Sequence, residues 1–154
     1  MDIQMTFPLD HDGFLRRECP HCVRQFKWHH GPASQEAEQQ SAPAAYHCPL
    51  CGQPAAMGSW WTQKQLDYAQ GITVPAAVRE IEQELRDGFR TASSKHVSFE
   101  FKGGFDTPEV PTPLTEPDDM TIVASPCHSY EPVKVPEDTS GPYHCLVCGQ
   151  AFAV

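Results

Sequence analysis

No apolar run in this chain of 154 residues approaches the length of a membrane span, so no transmembrane helix is expected. The opening stretch "MDIQMTFPLDHDGF" lacks a basic segment followed by an apolar one, and the chain is read as unexported and cytoplasmic. Disulfides are rare in such a reducing compartment. Positive charge is scarce too: 11 Lys and Arg stand against 20 Asp and Glu, a formal net charge of −9. The shortage is uneven. Residues 1–58 sum to −2, residues 59–104 to 0 and residues 105–154 to −7, with Lys134 the one basic residue of the last segment. A C-terminal third so charged repels phosphate, which weighs against a general nucleic-acid-binding surface. Hydrophobic content of 40% allows a core, but not a large one.

What the chain does have is cysteine in pairs. Of seven cysteines, six form Cys19/Cys22, Cys48/Cys51 and Cys145/Cys148, each pair as Cys-x-x-Cys, and Cys127 stands alone. That odd count and spacing favour metal over disulfides. Two of the pairs lie in near-copies of one octapeptide, "YHCPLCGQ" at 46–53 and "YHCLVCGQ" at 143–150, offset by 97 residues. Zinc takes four ligands in a tetrahedron and favours thiolate in structural sites. A Cys-x-x-Cys turn points both sulfurs at one spot, and Gly52 after the second turn can take a backbone conformation closed to other residues. Cys19, Cys22, Cys48 and Cys51, with 25 residues between the pairs, build one closed site. The pattern resembles the zinc-ribbon family, with its rubredoxin-like knuckles, over about residues 14–54. That resemblance implies two knuckles, each at the tip of a β-hairpin, clamping one zinc ion, and it implies a fold rather than an activity. The competing reading of "CPHC" is a thioredoxin-like disulfide pair, but such a pair opens a helix, and here the strand-like "VRQFKW" follows.

A second site needs Cys127, Cys145, Cys148 and a fourth ligand. Cys127 follows one strand-like stretch and precedes another, as Cys19 does, which puts Tyr130 in the place of Cys22. His128 is the expected ligand and His144 its rival. His47 occupies the place of His144 in the first octapeptide, where four cysteines already suffice, so the repeat gives His144 no special claim. Adjacent strand residues point to opposite faces, so ligation by both Cys127 and His128 requires a turn, which Pro126 favours. The expectation is two zinc ions.

The fold class expected is small, α+β and metal-stabilised: two zinc-ribbon β modules flanking a short helical segment. Residues 1–58 form the N-terminal ribbon, with "GFLRRE" and "VRQFKWHH" as strands and residues 31–45 as a polar loop. Residues 59–104 form a helical insert plus a strand. Ser59 caps a first helix that ends at Gly71, and Thr73 and Pro75 open a second with Val74, Val78, Ile81, Leu85 and Phe89 on one face. "HVSFEFK", 96–102, alternates like a strand. Residues 105–119 read as a Pro-rich acidic linker, and 120–154 as the second ribbon, with strands "MTIVAS" and "VKV".

A closed four-ligand metal replaces a missing core and leaves no room for substrate. The leading reading is therefore a structural zinc protein acting as a protein-interaction module, with Trp60 and Trp61 as candidate contact residues unless they pack inside. The alternative is nucleic-acid binding through Arg16, Arg17, Arg24, Lys27 and Trp28, whose cations would meet phosphates while the ring stacks on bases. A lesser alternative is a zinc-dependent enzyme at an open second site, with Glu131 as base. The zinc-deaminase signature is incomplete, because "PCHSY" lacks the second cysteine and no His-x-Glu is present. No phosphate-cradling loop stands out, "FKGGF" being too short, and no Ser–His–acid set announces itself.

Overall fold

The apolar alternation on either side of "CPHC" does form strands. β1 (Phe14–Glu18) and β2 (Gln25–His29) pair antiparallel, Phe14 opposite His29 and Glu18 opposite Gln25, with Cys19 and Cys22 in the turn between them. This computed structural model describes residues 2–106 and 109–154. Three more hairpins follow the same plan. β3 (Ala45–His47) and β4 (Pro54–Ala56) enclose Cys48 and Cys51. β5 (Met120–Val123) and β6 (Val133–Pro136) enclose Cys127. β7 (Tyr143–His144) and β8 (Ala151–Phe152) enclose Cys145 and Cys148. The two longer hairpins join through their second strands, Lys27 opposite Lys134 and Trp28 opposite Val133, giving a four-stranded sheet in the order β1-β2-β6-β5.

The described residues fall into two compact units, one of Phe7–Gln63 with Leu114–Val154, the other of Met1–Thr6 with Lys64–Pro113. All four hairpins belong to the first unit. Its core is aromatic: Trp60 is fully buried and meets Phe26 and Trp28 edge-on at 5.6 and 5.9 Å, and Tyr46 closes on Trp28 at 5.0 Å. Trp60 is therefore not a contact residue. Trp61 packs inside this unit too, against Phe7 at 4.9 Å and under the Arg17 guanidinium at 4.4 Å. The polar excursion 31–45 contains a single helical turn, α1 (Gln35–Glu38), whose first turn is capped by the Ser34 hydroxyl accepting from Ala37 N.

The other unit is dominated by α2 (Gln63–Ala92), one continuous helix where two were expected. Gly71 does not end it. A Cβ there would meet Pro111 Cγ at 2.9 Å, so this glycine serves close packing rather than a C-terminal cap. Pro75 sits inside the helix, where it removes one backbone donor. The expected strand 96–102 is absent because nothing pairs with it among the described residues. That segment folds back on the helix instead: Phe101 stacks on Phe89 at 6.1 Å, and Phe99 N donates to Ser93 Oγ at 2.8 Å. Much of the helix's apolar stripe stays open, with Val74 49%, Ile81 51%, Leu85 37% and Phe89 36% exposed. Among the described residues, no helix is long and apolar enough to cross a membrane.

Candidate metal centres

Three of the four cysteine turns share one backbone geometry. Val23 N donates to Cys19 O at 2.9 Å, Gly52 N to Cys48 O at 2.8 Å and Gly149 N to Cys145 O at 2.8 Å. The next bond repeats as well: Cys19 N to Arg24 O, Cys48 N to Gln53 O and Cys145 N to Gln150 O, all within 2.9–3.0 Å. The residue after each second cysteine lies in the left-handed region, at φ 60 for Val23, 78 for Gly52 and 76 for Gly149. Glycine adopts this readily, and a β-branched valine does not. Only the first turn departs from the glycine that the other two use.

The turns bring sulfur together. Cys19 Sγ lies 3.7 Å from Cys51 Sγ, and Cys22 Sγ lies 3.9 Å from Cys48 Sγ. A tetrahedral ion with metal–sulfur bonds of about 2.3 Å sets its sulfurs about 3.8 Å apart. All four are free thiols, and their ligand atoms lie within 4.8 Å of one another. Backbone N–H groups of His21 and Leu50 aim at Cys19 Sγ and Cys48 Sγ at 3.3 and 3.4 Å, a disposition that favours thiolate. Burial pushes the Cys22 thiol up, but the Arg24 backbone and guanidinium outweigh it and bring it to about 7. Burial drives Cys48 well above the ordinary thiol range. A dicationic metal is what would let all four ionise together.

The second group is Cys127, His128, Cys145 and Cys148, again within 4.8 Å of one another. Cys127 Sγ lies 3.5 Å from Cys148 Sγ, and His128 Nδ1 lies 3.4 Å from Cys145 Sγ. The bend at Pro126 and Cys127 provides the turn that lets two adjacent residues face one point. This fourth loop has its own support: Ser125 Oγ accepts from His128 N at 3.2 Å and donates to Cys145 Sγ at 3.1 Å. Burial raises the Cys145 thiol, and the Ser125 hydroxyl with the N–H groups of Val147 and Cys148 brings it down to about 7. The chemistry of both donor sets, soft sulfur with one imidazole, fits a tetrahedral metal. Ser125 was not singled out from sequence, and nothing in the cysteine spacing points to it.

His144 lies outside this group, in a different device. His47 N donates to Leu146 O at 2.8 Å, and His144 N donates to Pro49 O at 2.9 Å. Each histidine ring also lies over the other turn's glycine. A Cβ on Gly149 would meet His47 Cδ2 at 2.6 Å, and one on Gly52 would meet His144 Cδ2 at 2.8 Å. The two octapeptides thus interlock reciprocally, and their histidines and glycines serve that contact.

The basic residues of the first hairpin are engaged internally. Lys27 is fully buried and pairs with Asp10, Glu116 and Asp119 at 3.0–3.1 Å. Arg16 pairs with Glu116 and Asp119 at 2.8 and 2.7 Å. Lys134, 1% exposed, holds Asp10, Asp12 and Asp118 at 2.7–2.9 Å. The end of the Pro-rich segment is therefore a counter-charge for two lysines that face each other across β2 and β6. Arg17 is sandwiched between Trp28 and Trp61, and Trp28 is buried. Arg24 alone of the five is exposed, and its guanidinium donates to Leu50 O at 3.0 Å. Glu131 is drawn to the Tyr46 hydroxyl, and burial pushes its carboxyl above the usual range.

Compared with protein-family models, with curated proteins and with solved structures, the chain matches none of them.

Proposed function

We propose that the chain is a structural zinc protein of two ribbon modules, residues 1–58 and 120–154, used as a protein-interaction module. The observation that carries this reading is the closure of both donor sets. One set offers four thiols and the other three thiols and an imidazole, the donor atoms of each lying within 4.8 Å of one another, and an ion held by all four would have no open position for a substrate or a catalytic water. Cys19, Cys22, Cys48 and Cys51 would hold one zinc, and Cys127, His128, Cys145 and Cys148 the other. Bound zinc supplies cross-linking, not chemistry. Hairpins of two or three residues per strand are too short to stand alone, and a metal at the tip of each supplies what their cores lack.

The open stripe of α2 around Val74, Ile81 and Leu85 is the surface assigned to a protein partner, since exposed apolar faces of this kind mark interaction sites. The test is affinity capture from the native host after nuclease treatment, with the wild type and Ile81→Glu/Leu85→Glu as baits. Specific partners should be retained by the first and lost by the second, with zinc content equal in both. Partners that ignore the double substitution, or that vanish with nuclease, contradict this assignment.

A further inference from the structure

The two donor sets meet solvent differently. In the first, Cys19 and Cys48 are fully buried, and each of the close sulfur pairs, Cys19 with Cys51 and Cys22 with Cys48, includes one of them. In the second, Cys145 is 1% exposed, but Cys127 and Cys148 are both exposed and their sulfurs lie 3.5 Å apart. A cavity of about 290 Å³ opens at this edge, lined by Cys127 itself with Pro126, Gln150, Ala151 and Phe152. That is ample for a molecule the size of a small peroxide, since water occupies about 30 Å³.

We propose that the Cys127–Cys148 edge is an oxidative modification site, at which a peroxide joins the two thiolates and the second site gives up its ion while the first keeps its own. The inference rests on the metal reading above. The thiolate of Cys127 or Cys148 attacks one peroxide oxygen through a sulfur lone pair. The O–O bond breaks, hydroxide leaves and the sulfur becomes a sulfenic acid. The neighbouring thiolate attacks that sulfur, the S–O bond breaks with loss of a second hydroxide, and the S–S bond forms. Two electrons pass from the sulfurs to the peroxide, so that two thiolates and one hydrogen peroxide give one disulfide and two hydroxide ions. Cys145 and His128 remain, half of the donor set, which is too few to hold a structural ion. Cys145 is buried away from the peroxide, and in the first site Cys19 and Cys48 are buried while Cys22 and Cys51 are only partly exposed, so the first attack falls on the exposed sulfurs of the second.

The experiment uses the zinc-loaded full chain, its metal content measured first. Hydrogen peroxide is added in the presence of a chromogenic chelator, and the protein is then mapped by non-reducing peptide mass spectrometry. The expected result is release of one ion per chain at least about tenfold faster than the other, with Cys127 and Cys148 linked. Reductant and added zinc should restore the starting state. Release of both ions at one rate, or first-site cysteines oxidised first, overturns the proposal. A chain that holds two ions and keeps both under peroxide defeats the proposal alone, whereas a chain holding fewer than two beforehand defeats the metal reading with it.

Discussion

Val23 carries a left-handed backbone that its two counterparts, Gly52 and Gly149, adopt without cost. A non-glycine residue in that region gives up about 1–2 kcal/mol. Val23 is 65% exposed, so its side chain adds little packing in return. Val23→Gly should therefore stabilise the metal-loaded protein by about 1 kcal/mol, read as a rise in denaturation midpoint; a fall would mean that the valine contributes packing that outweighs its strain. Asp10 offers the opposite case. Its carboxylate sits between two buried ammoniums, Lys27 at 3.1 Å and Lys134 at 2.8 Å. Removing it in Asp10→Ala leaves Lys27 with Glu116 and Asp119 and Lys134 with Asp12 and Asp118, so the loss of one charged partner should cost about 1–3 kcal/mol. Although burial opposes it, bonding to Lys134, to the Phe14 N–H and to Lys27 holds the Asp10 carboxyl far below its ordinary value. Its contribution is thus present above the unfolded carboxylate range and is lost as pH falls. Lys134 is shifted upward despite burial, by Asp10, Asp12 and Asp118, so its contribution holds below the ordinary lysine range and fades only as pH rises through its folded value. Between about pH 5 and pH 9 this cluster should leave stability flat, and urea titrations across that window check it. None of this was legible in sequence. Lys27 reads as one cation of a basic, aromatic hairpin that could meet phosphate, because what buries it is a strand pairing and a segment some ninety residues away.

At the scale of elements, the cysteines announced their own turns. The Cys-x-x-Cys spacing, read with the strand-like "VRQFKW" after the first pair, located three of the four hairpin tips, and the apolar alternation beside "CPHC" gave β1 and β2. Elements that depend on a neighbour were not legible in the same way. The segment 96–102 has strand periodicity but no partner strand among the described residues, and α2 runs through Pro75 and through Gly71, where Pro111 packs in the place of a side chain. The doubled octapeptide was visible at once, but its use was not. It is an interlock, with His47 over Gly149 and His144 over Gly52. Gly149→Ala should cost about 1–3 kcal/mol, from a contact at 2.6 Å and a φ of 76. His47→Ala in the same chain should recover part of that loss, a coupling that a double-mutant cycle measures. Additive losses would mean that the two turns do not bear on one another.

On the scale of the whole molecule, small hairpins converge on two donor sets that could each hold a metal ion. The β2–β6 pairing and the reciprocal bonds between His47 and Leu146 and between His144 and Pro49 unite the two donor sets within one compact unit. Strong chelation should therefore abolish near-ultraviolet dichroism from Trp28 and Trp60 together with the loss of metal, because those rings share a core with Cys19 and Cys48. Cys127→Ala should remove one ion and leave the other in place, since Cys127 belongs to the second donor set alone. The most direct test is the metal content of the unmodified chain, purified without added metal and weighed by native mass spectrometry alongside elemental analysis. The account predicts two zinc ions per chain with all seven cysteines reduced; a chain carrying one ion, none, or iron in place of zinc would contradict it.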